Sequence, residues 1–298
     1  MPNQTILIRL VPLLFVLLWS TGFIGAKYAL PYIEPFNLLF IRVVLTLAIL
    51  LLLIRWRGSP WPGTVQAGHQ MLVGALVHAG YLGGVFAAIK WQMPAGVAAL
   101  IVGLQPLLTA VLGHFWLGSR LHPSQWLGLA LGLLGIALVI TNGESFQGGT
   151  DLQPAALAAI VTALFAISLG TLYQKRFGGS TSLLTGSFYQ YLATALIMLL
   201  LSQATETGHV EWSMTLILAL AWLVLVLSIA AILLLMFMIR EGEAARVASY
   251  FYLVPPITAL EAWLLFDESL GTLSLVGMAV VVVGVYLALQ THSRPRPS

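Results

Sequence analysis

Apolar residues run along this chain in long unbroken stretches, interrupted by short polar or Gly- and Pro-bearing breaks. Ten such stretches occur, at about 8–29, 34–54, 69–90, 94–117, 123–141, 153–173, 181–202, 212–239, 244–266 and 271–290. A bilayer core asks for roughly 20 apolar residues per helical crossing, and each stretch meets that ruler. The runs are continuous rather than alternating with period two, so a closed β-barrel is excluded. The breaks are mostly shorter than 15 residues, which leaves no room for an extramembrane domain. The first run begins after Arg9; it is too long for a signal peptide and is read as a retained helix.

Composition sharpens the picture. Of 298 residues, 59% are hydrophobic and 8% charged, against about 25% charged in an ordinary soluble domain. The mean hydropathy of +0.97 agrees. Such a surface excludes a soluble enzyme, a disordered regulator and a nucleic-acid binder. The net charge of +3 comes from basic residues scattered singly or in pairs, without the stripe that nucleic acid demands. With no cysteine, a disulfide framework, a thiolate metal site and a Cys nucleophile are all excluded. The reading is an all-α integral membrane protein with ten transmembrane helices.

The basic residues also set an orientation. With the N-terminus inside, Arg9, Arg55, Arg57, Arg120, Lys175, Arg176, Arg240, Arg246, Arg294 and Arg296 fall on the cytoplasmic side, and Lys27 and Lys90 outside. Arg42 lies within a span. Ten against two places both termini in the cytoplasm under the positive-inside rule.

A shift of 149 residues aligns the two halves of the chain. Between 95–139 and 244–288, without gaps, 11 of 45 positions are identical, among them Pro106 with Pro255, Thr109 with Thr258, Gly128 with Gly277 and Gly135 with Gly284. The same shift sets Lys27 against Arg176. This predicts a first five-helix repeat over 1–146 and a second over 147–298. Five crossings are an odd number, so the second copy enters from the opposite side and the repeats are inverted. Inverted repeats characterise secondary transporters, whose substrate site lies near the midplane.

Several segments resemble the EamA-type branch of the drug/metabolite transporter superfamily. They are Trp19-Ser20-Thr21-Gly22-Phe23 with Lys27, Phe40-Ile41-Arg42, Ala95-Gly96-Val97-Ala98-Ala99-Leu100, Leu253-Val254-Pro255-Pro256, and Glu268 before the last span. The resemblance covers essentially the whole chain, although Ser119 stands where the first repeat often carries an acid. It implies a ten-helix carrier of the bacterial inner membrane that exports amino acids or related small metabolites. It also implies a cavity lined by spans 1, 3, 4, 6, 8 and 9.

Charges inside the hydrocarbon cost at least about 2.5–3.5 kcal/mol each, so every one needs a reason. Arg42 and Glu261 lie at similar depths from the outer side and are candidates for a buried pair, either static or concerned with gating. His78 and Tyr81 share a face of span 3; His78 titrates in the physiological range when unperturbed and is a candidate for proton coupling or for a helix–helix hydrogen bond. Glu261 and Glu268 are the other coupling candidates. Pro106, Pro255 and Pro256 sit near mid-span, where proline frees carbonyls and permits hinging. Trp19, His78, Tyr81, Gln105, Ser249 and Tyr252 are the expected substrate wall. They offer hydrogen bonds and aromatic faces without a fixed counter-charge, which suits neutral amino acids with apolar or aromatic side chains rather than phosphates. Trp56, Trp61, Trp126 and Trp212 read as interfacial belt residues. Gly128-x-x-x-Gly132 signals close helix packing, expected within a monomer, with a dimer as the alternative.

A secondary carrier is therefore the leading function, with a small molecule and the lipid bilayer as its partners. No metal or cofactor is implied. The alternative is a flippase for lipid-linked sugars or another metabolite within the same fold. An intramembrane lipid-modifying enzyme would need an acidic metal cluster or a nucleophilic set, and none is present. A nucleotide-driven pump would need a Walker loop, and none is present either.

Overall fold

The computed structural model describes residues 2–117, 122–141, 153–179, 181–231, 234, 253–268 and 271–290, the side chains of 2–13, 117, 140, 141 and 288–290 excepted. Backbone polar groups in a bilayer must be satisfied within the chain, and among the described residues the apolar runs fold accordingly into ten helices. These are α1 (Pro2–Ala29), α2 (Pro35–Arg57), α3 (Thr64–Lys90), α4 (Ala95–Trp116), α5 (Pro123–Thr141), α6 (Pro154–Phe177), α7 (Leu183–Thr205), α8 (Met214–Ala230), α9 (Val254–Phe266) and α10 (Thr272–Gln290). By length and composition α2, α3, α4, α6 and α7 are each long enough to cross a membrane; the described apolar parts of the others span 10–17 residues. Residues 235–252, expected to close span 8 and open span 9, lie outside the described residues.

Three helices depart from a plain α-helical rod. α3 is π-helical over Ala75–Gly80, and α8 over Trp222–Ala230. Such segments arise where an extra residue is accommodated in a helix, often at functional sites. α4 is broken by a turn at Gly103 and Leu104 and resumes at Gln105. Pro106 therefore stands in the first turn of a fresh helical segment, where its missing N–H costs nothing. Pro255 and Pro256 likewise open α9.

The chain divides into two compact units that each draw on both halves of the sequence. One comprises Met1–Ile24, Pro94–Leu152 and Ala230–Ser298 and holds most of α1 with α4, α5, α9 and α10. The other comprises Gly25–Met93 and Gln153–Ile229 and holds the end of α1 with α2, α3, α6, α7 and α8.

In the first unit α5 lies on α10 through glycines. A Cβ at Gly277 would come 2.6 Å from the Gly135 carbonyl oxygen, and one at Gly284 would come 2.7 Å from that of Gly128. Gly128 and Gly135 are the repeat equivalents of Gly277 and Gly284, so the contacts are reciprocal: 135 meets the counterpart of 128, and 128 meets the counterpart of 135. That exchange is the signature of a two-fold axis, and it requires the two helices to run antiparallel. α4 and α9 repeat the pattern. The Ala95 N–H opening α4 faces Glu268 just past α9, while a Cβ at Gly103 would come 2.9 Å from Pro255 at the start of α9.

The second unit shows the same relation between α2 and α7. Glu206, at the end of α7, accepts hydrogen bonds from Phe36 N–H (2.6 Å) and Asn37 N–H (2.8 Å) and so caps the start of α2 across the unit. At the other end Thr185 Oγ1 donates to the Pro60 carbonyl at 3.0 Å. Repeat-equivalent helices thus pack antiparallel in three pairs. Copies inverted with respect to one another are the arrangement that produces this.

Large apolar side chains cover the outside, including Leu52, Leu200 and Leu264, each more than half exposed. So many exposed large apolar side chains in each unit are what a lipid-covered surface requires. Trp56, Trp61, Trp126 and Trp212 are exposed at or near helix ends, as belt residues require.

Candidate functional site

In the second unit a charged side chain is buried in the middle of the polar cluster. Arg42 lies seven residues into α2, about 10 Å along its axis from Pro35 at 1.5 Å per residue, and is only 6% exposed. Its Nε donates to Ser228 Oγ in the π-helical part of α8 at 3.2 Å. Ser228 donates its own proton to the Leu223 carbonyl at 3.1 Å, five residues back, as a π-turn allows. Tyr191 of α7 lies beside Ser228. Tyr81 and Tyr191 both lie within electrostatic range of the guanidinium, and so does His78. Five residues from four helices therefore converge here.

His78 is held on two sides. Its ring stacks on Tyr191 with centroids 4.6 Å apart, and its Nε2 is 3.2 Å from Gln190 Oε1. Gln190 Nε2 donates to Gln70 Oε1 at 2.7 Å, and Gln70 Nε2 donates to the Gly178 carbonyl at 2.9 Å. Amide orientations are ordinarily ambiguous, but a backbone carbonyl only accepts. Gly178 therefore fixes the direction of Gln70, Gln70 that of Gln190, and Gln190 the proton of the imidazole. When His78 is neutral, Nε2 carries the hydrogen and Nδ1 is the acceptor. The ladder is tightened by Thr194 Oγ1, which donates to the Gly74 carbonyl at 3.2 Å, a close approach that Gly74 makes possible.

The first unit holds the acidic candidates. Ser20 Oγ stands 2.8 Å from Glu261 Oε1 and 2.8 Å from the Leu17 carbonyl. One hydroxyl proton faces two acceptors, so Glu261 is placed to share or supply a second. Its Oε2 is buried without a partner, as are the hydroxyls of Thr109 and Thr258. The two threonines are repeat equivalents, each three residues beyond its proline, Pro106 or Pro255. Glu268 caps α4, accepting from the Ala95 N–H at 3.4 Å. Trp19 lies 5.4 Å from Phe15, centroid to centroid.

The residues singled out in the sequence are divided between the two units. His78, Tyr81 and Arg42 come together in one unit. Trp19, Gln105, Glu261, Glu268, Pro106, Pro255 and Pro256 belong to the other, while Ser249 and Tyr252 lie outside the described residues. Arg42 and Glu261, matched in the sequence by depth, each have a serine partner in their own unit, Ser228 and Ser20. Sequence reasoning passed over Gln70, Gln190, Tyr191 and Ser228, and met Ser20 only as part of the Trp19–Phe23 segment. Gln70 and Gln190 carried a usable signal, since an amide in the middle of an apolar span needs a partner as much as a charge does. Among the described residues no group of three or more His, Asp or Glu side chains is placed to hold a metal ion.

Comparison with known proteins adds identity to this geometry. The sequence profile described as the EamA-like transporter family matches residues 7–141 and again 154–290, one copy in each half. A probable amino-acid metabolite efflux pump of Salmonella typhimurium is 27% identical over 284 residues, covering 92% of both chains. The uncharacterized inner membrane transporter YedA of Escherichia coli K12 is 26% identical, covering 94% of this chain and 91% of that one. A crystal structure of a protein at 21% identity superposes with a TM-score of 0.66 over 94% of this chain and 97% of the other, which shows a shared fold.

Proposed function

The chain belongs to the EamA-like transporter family, as an integral protein of the inner membrane and not an enzyme, and from that premise we propose that it exports neutral amino acids or related small metabolites by alternating access. The observation that carries this reading is the polar cluster at membrane depth in a chain of two inverted EamA copies. Arg42, His78, Tyr81 and Tyr191 gather at a depth where lipid offers them nothing. A relative of similar length named as an amino-acid metabolite efflux pump points to the same class of cargo.

Inversion supplies the mechanism in this reading. Two copies related by a two-fold axis in the membrane plane exchange conformations, which opens the site to either side in turn. The helix starts at Pro106, Pro255 and Pro256 are where bending is cheapest, because no N–H is lost there. Both termini lie in the cytoplasm. The energy source is a proton gradient acting on Glu261, whose hydrogen bond to Ser20 competes with the Leu17 carbonyl for one proton.

The test is counterflow into liposomes containing the purified protein. Labelled phenylalanine should accumulate saturably when unlabelled amino acid is trapped inside. An imposed pH gradient should raise the rate in the wild type and fail to do so in Glu261→Gln. Equal rates with and without the gradient remove the coupling. Absence of saturable uptake together with lipid scrambling would replace the exporter by a flippase.

A further inference from the structure

We propose that Arg42 is the group that binds the carboxylate of the transported molecule, a role that rests on the amino-acid reading and names the contact at its centre. A guanidinium in hydrocarbon demands a counter-charge. Among the described residues no carboxylate pairs with Arg42; its one hydrogen bond is from Nε to Ser228.

Ser228 is fully engaged by its neighbours. Its proton goes to the Leu223 carbonyl and its oxygen receives Arg42 Nε. Ser228 is thus a positioning residue: it holds the Nε edge of the guanidinium. The four N–H groups on the two terminal nitrogens have no hydrogen-bond partner among the described residues. They form the planar fork that fits a carboxylate through two parallel hydrogen bonds.

The surroundings narrow the ligand. A lipid phosphate sits at the interface, whereas Arg42 is about 10 Å along α2 from its end. Arg42 is the only Lys or Arg within the apolar runs of α2, α3, α7 and α8 apart from those at helix ends, so one positive charge meets one negative charge. A phosphate dianion would leave a charge unbalanced. Tyr81 and Tyr191 add hydroxyls and aromatic faces close by. His78, with Nδ1 as an acceptor, suits an N–H donor on the same ligand. The ligand is a zwitterion whose carboxylate lies on Arg42, which supplies the fixed counter-charge that the expected wall of Trp19, His78, Tyr81, Gln105, Ser249 and Tyr252 does not include.

The experiment compares L-phenylalanine with L-phenylalaninamide, which lacks only the carboxylate, in the same liposomes. The wild type should favour phenylalanine at least tenfold in KM. In Arg42→Gln, losing a charge-assisted pair should raise the phenylalanine KM roughly ten- to hundredfold, with the amide changed less than threefold. Ser228→Ala keeps the charge but loosens its aim, and should raise the phenylalanine KM severalfold with little effect on the amide. That variant decides the matter if Arg42→Gln does not reconstitute. Equal loss of both ligands, or unchanged discrimination, overturns the assignment and leaves a structural arginine. Competition by inorganic phosphate stronger than that by 3-phenylpropionate also overturns it. A wild-type protein that takes up neither ligand removes the amino-acid reading itself, a result distinct from all of these.

Discussion

Arg42 and Glu261 illustrate how much of a membrane site a single residue announces. Both stand out in the sequence because a charge at that depth is expensive. Their partners do not, because depth along a helix says nothing about the direction a side chain takes around it. His78 is the clearer case: the sequence offers either a titrating group or a helix–helix bond, and the amide ladder shows what holds the ring. If the ladder from Gly178 through Gln70 and Gln190 sets the tautomer, nitrogen and carbon shifts of isotopically labelled His78 should report the Nε2–H form in the neutral ring. Gln190→Leu removes the acceptor and leaves Gln70 Oε1 unpaired as well. The neutral ring should then show a mixture of tautomers, and the unpaired groups should cost about 1–3 kcal/mol of stability each. An unchanged tautomer in Gln190→Leu would mean that Tyr191 stacking alone fixes the ring.

At the scale of elements, helix number follows from apolar run length, and each of the ten expected spans overlaps one of the ten helices among the described residues. The repeat was legible because paired prolines and glycines kept their register. The π-helical segments of α3 and α8 were not, since nothing in their composition separates an extra residue in a helix from an ordinary turn. Glycine roles also need the structure. Gly277 and Gly68 are both helical glycines, yet they should respond oppositely to alanine. A Cβ at Gly277 meets the Gly135 carbonyl at 2.6 Å and Val139 Cγ2 at 2.9 Å, whereas one at Gly68 meets nothing within 4 Å. Backbone cannot yield as a side-chain tip does, so Gly277→Ala should push α10 from α5 and cost about 1–3 kcal/mol. Gly68→Ala should be neutral or stabilising by up to about 1 kcal/mol through helix propensity. Melting temperatures of the two variants in detergent, compared with wild type, separate the cases. Equal shifts would mean that the α5–α10 contact is looser than the geometry states.

For the whole molecule, charge bears on which side faces the cytoplasm, and parity bears on where the termini and the joining loop lie relative to one another. Within the second unit, the end marked by Glu34, Glu206 and Glu211 is tied together by Glu34 accepting from Thr207 and Gly208 and by Glu211 N–H donating to the Tyr32 carbonyl. The opposite end carries Arg55, Arg57, Lys175 and Arg176, near the contacts of Thr185 with Pro60 and of Gln66 with Gly178. Basic residues collect on the cytoplasmic face, so that end is expected to face the cytoplasm. Antiparallel packing of α2 with α7, α4 with α9 and α5 with α10 requires an odd number of crossings between equivalent helices. The loop joining the halves must then lie opposite the N-terminus, and ten crossings return the C-terminus to the starting side. A reporter fused after Ser293 should therefore be active only in a cytoplasmic format, and one inserted at Gly148 only in a periplasmic format. The reversed pattern at both sites would overturn the charge argument and leave the inversion standing. The same side at both sites would break the parity itself, and with it the inverted repeat on which alternating access depends.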